Sequence, residues 1–143
     1  MSNVLLHCAE RAPEVPWQFR CYRTGGGRND LIAWDKKLSK KGRANRNVRM
    51  AYLKEQPPGR WVRPDAVMLK NHASVIHFKD ENRQQHRLFG FFAPQHHAFV
   101  ICFAGTEKDS TYDPADYEQR IEDRRQEIES RLLERTAPWP WPV

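Results

Sequence analysis

The chain is short of the features that settle a class at a glance. It has three cysteines, Cys8, Cys21 and Cys102, an odd and widely spaced set without a CxxC pair. That excludes a disulfide scaffold and a zinc ribbon, and points to reduced thiols in a cytoplasm. Cys102, inside FVICFA, reads as a small buried hydrophobe. No apolar run approaches the roughly 20 residues of a membrane span. The opening MSNVLLHCAERAPE lacks a signal-peptide layout, since VLLHCA is short and Glu10 and Glu14 follow it. Gly25-Gly26-Gly27 is followed by neither Lys-Ser nor a GxGxxG spacing, which favours a flexible turn over a phosphate-cradling loop. His96 and His97, the one adjacent histidine pair, read as a polar hairpin tip. Neither a metal nor a cofactor is expected.

Aromatic residues are well represented, with seven Phe, five Trp and four Tyr, more than a disordered chain carries. A chain of 143 residues is the size of one domain, able to bury about two-thirds of its unfolded surface. The charge is unevenly placed. Residues 1–63 hold fourteen Lys and Arg against five acids, while residues 64–143 hold ten against thirteen. Lys36, Lys37, Lys40, Lys41, Arg43, Arg46 and Arg49 fall within KKLSKKGRANRNVR, which contains no acid. Such a patch attracts polyanions and releases their counterions, although a solvated helix surface has the same composition.

The period of the apolar residues supplies the elements. Residues 1–16, broken by Pro13 and Pro16, read as an irregular arm. Trp17, Phe19 and Cys21 alternate along a strand. Asn29 or Asp30 can cap a helix carrying Leu31, Trp34 and Leu38, and Gly42 is expected to break it. A second helix follows with Ala44, Val48, Ala51 and Tyr52 on one stripe, stopped by Pro57-Pro58-Gly59. Then come three strands, SVIHFK, HRLFGFFA and AFVICFA, joined by short polar turns in an antiparallel meander with the last at the sheet centre. Asp113 and Pro114 are placed to open a long helix with Tyr117, Ile121, Ile128 and Leu132 on one thin stripe. Residues 134–143 form a Pro/Trp-rich tail, extended from Ala137 to Val143, whose Trp139 and Trp141 are expected to pack on the domain or on a partner.

The order strand, helix, helix, three strands, helix, together with FKDENRQQHRLFGFFAPQHHAFVICFAGTEKDSTYDPADYEQRIEDRRQEI, resembles the RelE/HigB-like superfamily of type II toxins, notably its phage-related branch. The features that carry the resemblance are Phe78-Lys79, the Arg87 that leads an aromatic strand, the apolar strand Phe99 to Phe103, Glu107-Lys108, and the charged helix after Pro114. Two positions differ: the usual Lys-Lys is here Glu107-Lys108, and a longer DSTYD segment precedes the helix. The resemblance implies an α+β, RelE-like domain over residues 17–133. In it a twisted antiparallel sheet carries an N-terminal helical hairpin and a long C-terminal helix.

It also implies metal-independent cleavage of mRNA on the ribosome, through attack by the ribose 2′-hydroxyl, and a cognate antitoxin protein as partner. In that reading Arg87 stabilises the transition-state charge, Lys79 and Lys108 converge on the phosphate, and Tyr112 stacks a base or moves a proton. His86 adjoins Arg87, and the basic patch, with Arg83, binds RNA. Each residue also has a plainer reading. Arg87 could pair with Asp80 or Glu81 across the hairpin, Lys79 and Lys108 could be solvated, and Tyr112 could cover the last helix. His77 reads as a strand-filling residue. Two other functions stay open: a ParE-like inhibitor of DNA gyrase, and a nucleic-acid-binding accessory protein without chemistry.

Overall fold

A computed structural model describes residues 15–143. Cys8 and nearly all of the expected arm lie outside that range. The expected meander is present as β3 (Ala73–Lys79), β4 (Gln85–Ala93) and β5 (Ala98–Lys108). β5 is central and is buried on both faces from Ala98 to Cys102, as a continuous apolar strand should be. One edge of β5 pairs with β4. The other edge pairs first with β1 (Gln18–Tyr22) and then, at Thr106 to Lys108, with β6 (Thr111–Asp113). β2 (Ala66–Met68) beside β3 and β7 (Thr136–Pro138) beside β1 complete a seven-stranded open sheet. The sheet is mixed rather than all antiparallel, because β1 runs parallel to β5. Parallel neighbours need a crossover of roughly a dozen residues or more, and the chain between Tyr22 and Ala98 supplies it.

Four helices complete this α+β fold among the described residues: α1 (Asp30–Lys37), α2 (Lys40–Leu53), α3 (Tyr117–Ile128) and α4 (Leu132–Arg135). The α1–α2 hairpin covers one sheet face, where Leu31, Leu38, Met50 and Leu53 pack with Trp61 on Phe19, Ile76, Leu88 and Phe99. α3 and α4 cover part of the other, with Ile121, Ile128 and Leu132 on Val75, Phe89, Phe91 and Val100. None of these helices is long and apolar enough to cross a membrane.

Three local expectations are corrected. Gly42 does not break the hairpin: Ser39 caps α2 by accepting from the Gly42 N–H at 3.0 Å. Gly42 sits in the first turn, where an added Cβ would lie 3.3 Å from Asp80 Cβ. Asp113 does not open the last helix, since pairing with β5 draws it into β6, and the helix starts after Asp116. The stripe on α2 faces the opposite way. Val48 is 72 % exposed and Tyr52 47 %, while Gly42, Arg46, Met50 and Leu53 point inward.

Arg46 explains that inversion. It is fully buried and ion-paired with Asp35 of α1. Its guanidinium lies 5.7, 5.5 and 4.6 Å from the ring centres of Trp34, Trp139 and Trp141. A carboxylate and three indoles together make an interior site for a cation, which a polarity pattern scores as surface. Glu134 and Arg135 of the tail end α4, and from Thr136 the tail is extended and closes this cage. β7 pairs with β1, the Trp139 backbone N–H donates to the Phe19 carbonyl at 3.0 Å, and Lys54 Nζ donates to the Val143 carbonyl at 2.7 Å.

Removing one member of a buried ion pair leaves the other charge without a partner. Arg46→Ala is expected to lower the unfolding free energy by about 3–5 kcal/mol. Val48→Ala, on the same helix, should stay within about 0.5 kcal/mol. Urea denaturation of both variants checks this, and equal losses would mean that Arg46 is no more committed to the interior than Val48.

Candidate active site

The turn between β3 and β4 sets the register that builds the site. Asp80 Oδ1 accepts from the backbone N–H groups of Asn82 at 2.8 Å and Gln84 at 3.1 Å, closing the loop. Lys79 then pairs with Gln85, and His77 with Arg87, on the face that α3 covers farther along. Gly105 stands opposite Arg87 on β5. An added Cβ there would meet the Asp113 carbonyl at 2.1 Å, so glycine is what lets β6 approach. Tyr112 of β6 pairs with Glu107 and packs edge-on against His77, with ring centres 5.8 Å apart.

Beyond Phe89 this face opens into two cavities. One, of about 420 Å³, is lined by Arg49, Arg63, His77, Lys79, Arg87 and Glu107 among others. The second, of about 430 Å³, has Ser110, Thr111, Tyr112 and Tyr117 in its wall, and Arg63 and Glu107 border both. Four cations and one carboxylate line the first cavity, a balance that favours an anion.

Arg87 is 4 % exposed and its donors are engaged within the protein. Nε donates to Glu107 Oε1 at 2.8 Å, Nη1 to the His86 carbonyl at 2.8 Å and Nη2 to Gln85 Oε1 at 2.7 Å. Its ionic partner is therefore Glu107 on β5, not Asp80 or Glu81. His77 Nε2 lies 2.9 Å from the Tyr112 hydroxyl. Burial, followed by the charges of Arg87, Arg63 and Arg49, pulls the His77 pKa down to about 3. Burial, with Glu107 nearby, raises that of Tyr112. The pair is thus a neutral imidazole and a protonated phenol at neutral pH. Arg49 secures the rim, donating to the carbonyls of His77 at 2.7 Å and Pro64 at 3.0 Å and pairing with Asp65.

Of the residues expected to act together, Arg87 and Lys79 line the same cavity, and Tyr112 lines the adjoining one. His86 is on the other face, stacked on Phe78 with Nε2 3.1 Å from Asp80, because neighbours on a strand alternate. Its bond is the main cause holding the Asp80 carboxyl below its usual range. Lys108 is exposed at the end of β5, paired with Thr111, and alternation sets it opposite to Glu107. Lys36, Lys37, Lys40, Lys41 and Arg83 are exposed as a basic surface requires. Arg43 is half-buried and donates to the Asp35 carbonyl at 3.3 Å. Buried Arg46 and rim-clamping Arg49 are corrections to that surface: the fold uses their charges internally.

His77, Arg63, Glu107 and Tyr117 were not picked out from the sequence as site residues. His77 was within reach: a five-residue turn, Asp80 to Gln84, aligns it with Arg87 by counting. Arg63 and Tyr117 arrive from distant segments, for which no local pattern exists. Among the described residues, no three His, Cys, Asp or Glu side chains are grouped as a metal ion requires. Compared with protein-family models, curated proteins and solved structures, the chain has no match.

A histidine held near pKa 3 when folded, against about 6.5 when unfolded, makes the unfolded chain bind more protons between those values. Stability from keeping His77 neutral is therefore present above pH 6.5 and is lost as pH falls toward 3. Urea unfolding at pH 7 and pH 4 should show a loss of a few kcal/mol, on the order of one to three, that shrinks in His77→Gln. An unchanged slope in the variant would mean that His77 is protonated in the fold.

Proposed function

We propose that this chain is a ribosome-dependent mRNA endoribonuclease, the toxin of a type II toxin–antitoxin system. The observation that supports the reading is the hydrogen-bonded His77–Tyr112 pair at the edge of a cavity lined by Arg49, Arg63, Lys79 and Arg87. RNA brings its own nucleophile, the ribose 2′-hydroxyl. The protein has to hold the phosphate in line, accept one proton, neutralise the crowded phosphorane and return a proton to the leaving 5′-oxygen. Exposed Lys79 holds the phosphate, in the field of Arg49 and Arg63. Burial, and after it three guanidinium groups, depress His77; a bound phosphate offsets the charges and so moves the imidazole toward greater basicity. The 2′-hydroxyl proton enters the His77–Tyr112 pair, another leaves it for the 5′-oxygen, and the pair ends as it began. Arg87 contributes its charge and positions Glu107.

In this reading Lys36, Lys37, Lys40, Lys41 and Arg83 meet ribosomal RNA, a polyanion, or the cognate antitoxin. Primer extension on a defined message in a bacterial translation extract tests it. Cuts are expected only while ribosomes translate, at a fixed codon phase. His77→Gln and Tyr112→Phe, with folding checked by circular dichroism, should each slow cleavage by roughly 10²–10⁴. Intact message with normal elongation would retire the nuclease and leave gyrase inhibition or plain nucleic-acid binding.

A further inference from the structure

The second cavity has a lining of another kind, two phenols, two hydroxyls, one guanidinium and one carboxylate. Glu107 is the key to it. Its side chain is 11 % exposed and Arg87 occupies Oε1 at 2.8 Å, while Oε2 makes no hydrogen bond among the described residues. That oxygen is not sealed from solvent, so it can accept from an N–H or O–H donor that a ligand brings. Arg63, in the same wall, is exposed and has no acidic partner among the described residues. Tyr112 and Tyr117 meet edge to face, with ring centres 5.0 Å apart and planes at 86°. Burial raises the pKa of both, so the wall they form is neutral and aromatic.

We propose that this cavity binds a guanine base of the RNA, with Glu107 and Arg63 reading its edges and Tyr112 and Tyr117 contacting its ring. The proposal rests on the reading of the chain as an RNA-binding enzyme and specifies which nucleotide lies beside the scissile phosphate. Guanine has two neighbouring donors, N1–H and the N2 amino group, which suit a carboxylate. It also has two neighbouring acceptors, O6 and N7, which suit a guanidinium fork. Adenine would put its N1 lone pair against the carboxylate. Uracil offers a single ring N–H, and cytosine an amino group beside an acceptor. Arg63 and Glu107 border both cavities, so a base in one and the phosphate of the same nucleotide in the other occupy adjoining sites.

Binding of 3′-GMP, 3′-AMP, 3′-CMP and 3′-UMP to the full chain, measured by isothermal titration, tests this without ribosomes or cleavage. 3′-GMP should bind at least about tenfold more tightly than the other three. Glu107→Gln keeps an oxygen for Arg87 Nε and turns an amide donor toward guanine N1–H and N2, so 3′-GMP should lose most of its advantage over the other three. Arg63→Ala, at an exposed position, should abolish the preference even if Glu107→Gln fails to fold. Equal binding of the four nucleotides, no binding of any, or an unchanged preference in both variants would overturn the proposal. Selective 3′-GMP binding without cleavage in extract would instead sink the nuclease and leave the pocket standing. Cleavage with no base preference would do the reverse.

Discussion

A guanidinium in a protein interior has to find acceptors for its N–H groups, and Arg87 does so by binding β4 to β5. Its three acceptors are a carboxylate on β5, a side-chain amide two residues back on its own strand and the carbonyl of its neighbour. The site's form follows from that requirement. With Arg87 and Glu107 on the sheet surface, this end of the face cannot be sealed by apolar packing. The helix that covers Val75, Phe89 and Phe91 leaves it open. Glu107 is held by one oxygen and offers the other. His77, opposite Arg87 and within the field of three arginines, stays neutral although it is a surface-type residue on an edge-side strand.

Arg46 answers the same requirement on the other side of the sheet by a different means. It has Asp35 and three tryptophans around it, two of them from the last five residues of the chain. The result is a helix that carries Arg46 inward beside Met50 and Leu53 and leaves Ala44, Val48 and Tyr52 outside. No amphipathic pattern announces this, because hydropathy assigns arginine to water before its partners are known. The signal that did exist was indirect: a Trp-rich tail that had to cover something, and a basic helix with no acid of its own to pair with.

The parts of the fold that were legible are those in which side-chain period and burial agree. The meander, the central place of β5 and the cap at Asn29 all follow from local rules, since alternation, short polar turns and an Asx cap act within a few residues. The parallel seam between β1 and β5, the placement of β2, β6 and β7, and the true start of α3 depend on pairings between distant segments. The site divides along the same line. Arg87, Lys79 and Tyr112 are named from what the resemblance implies. Arg63, Glu107 as the partner of Arg87, and Tyr117 come together only when the sheet is assembled. A string of seven cations looked like one surface, yet two of its members, Arg46 and Arg49, are committed to the fold.

The β3–β4 turn then decides which polar residues are chemistry and which are scaffold. Slipping the register by one residue would exchange the faces of a whole strand. In the observed register His77 and Arg87 share the open face, while His86 is sent to the other, stacked on Phe78 and bonded to Asp80. Asp80 is also the residue that closes the turn through two backbone N–H groups. The histidine excluded from the site therefore helps to fix the register that assembles it. His86 holds the Asp80 carboxyl in its charged form, the charged carboxylate holds the turn, and the turn keeps His77 beside Arg87.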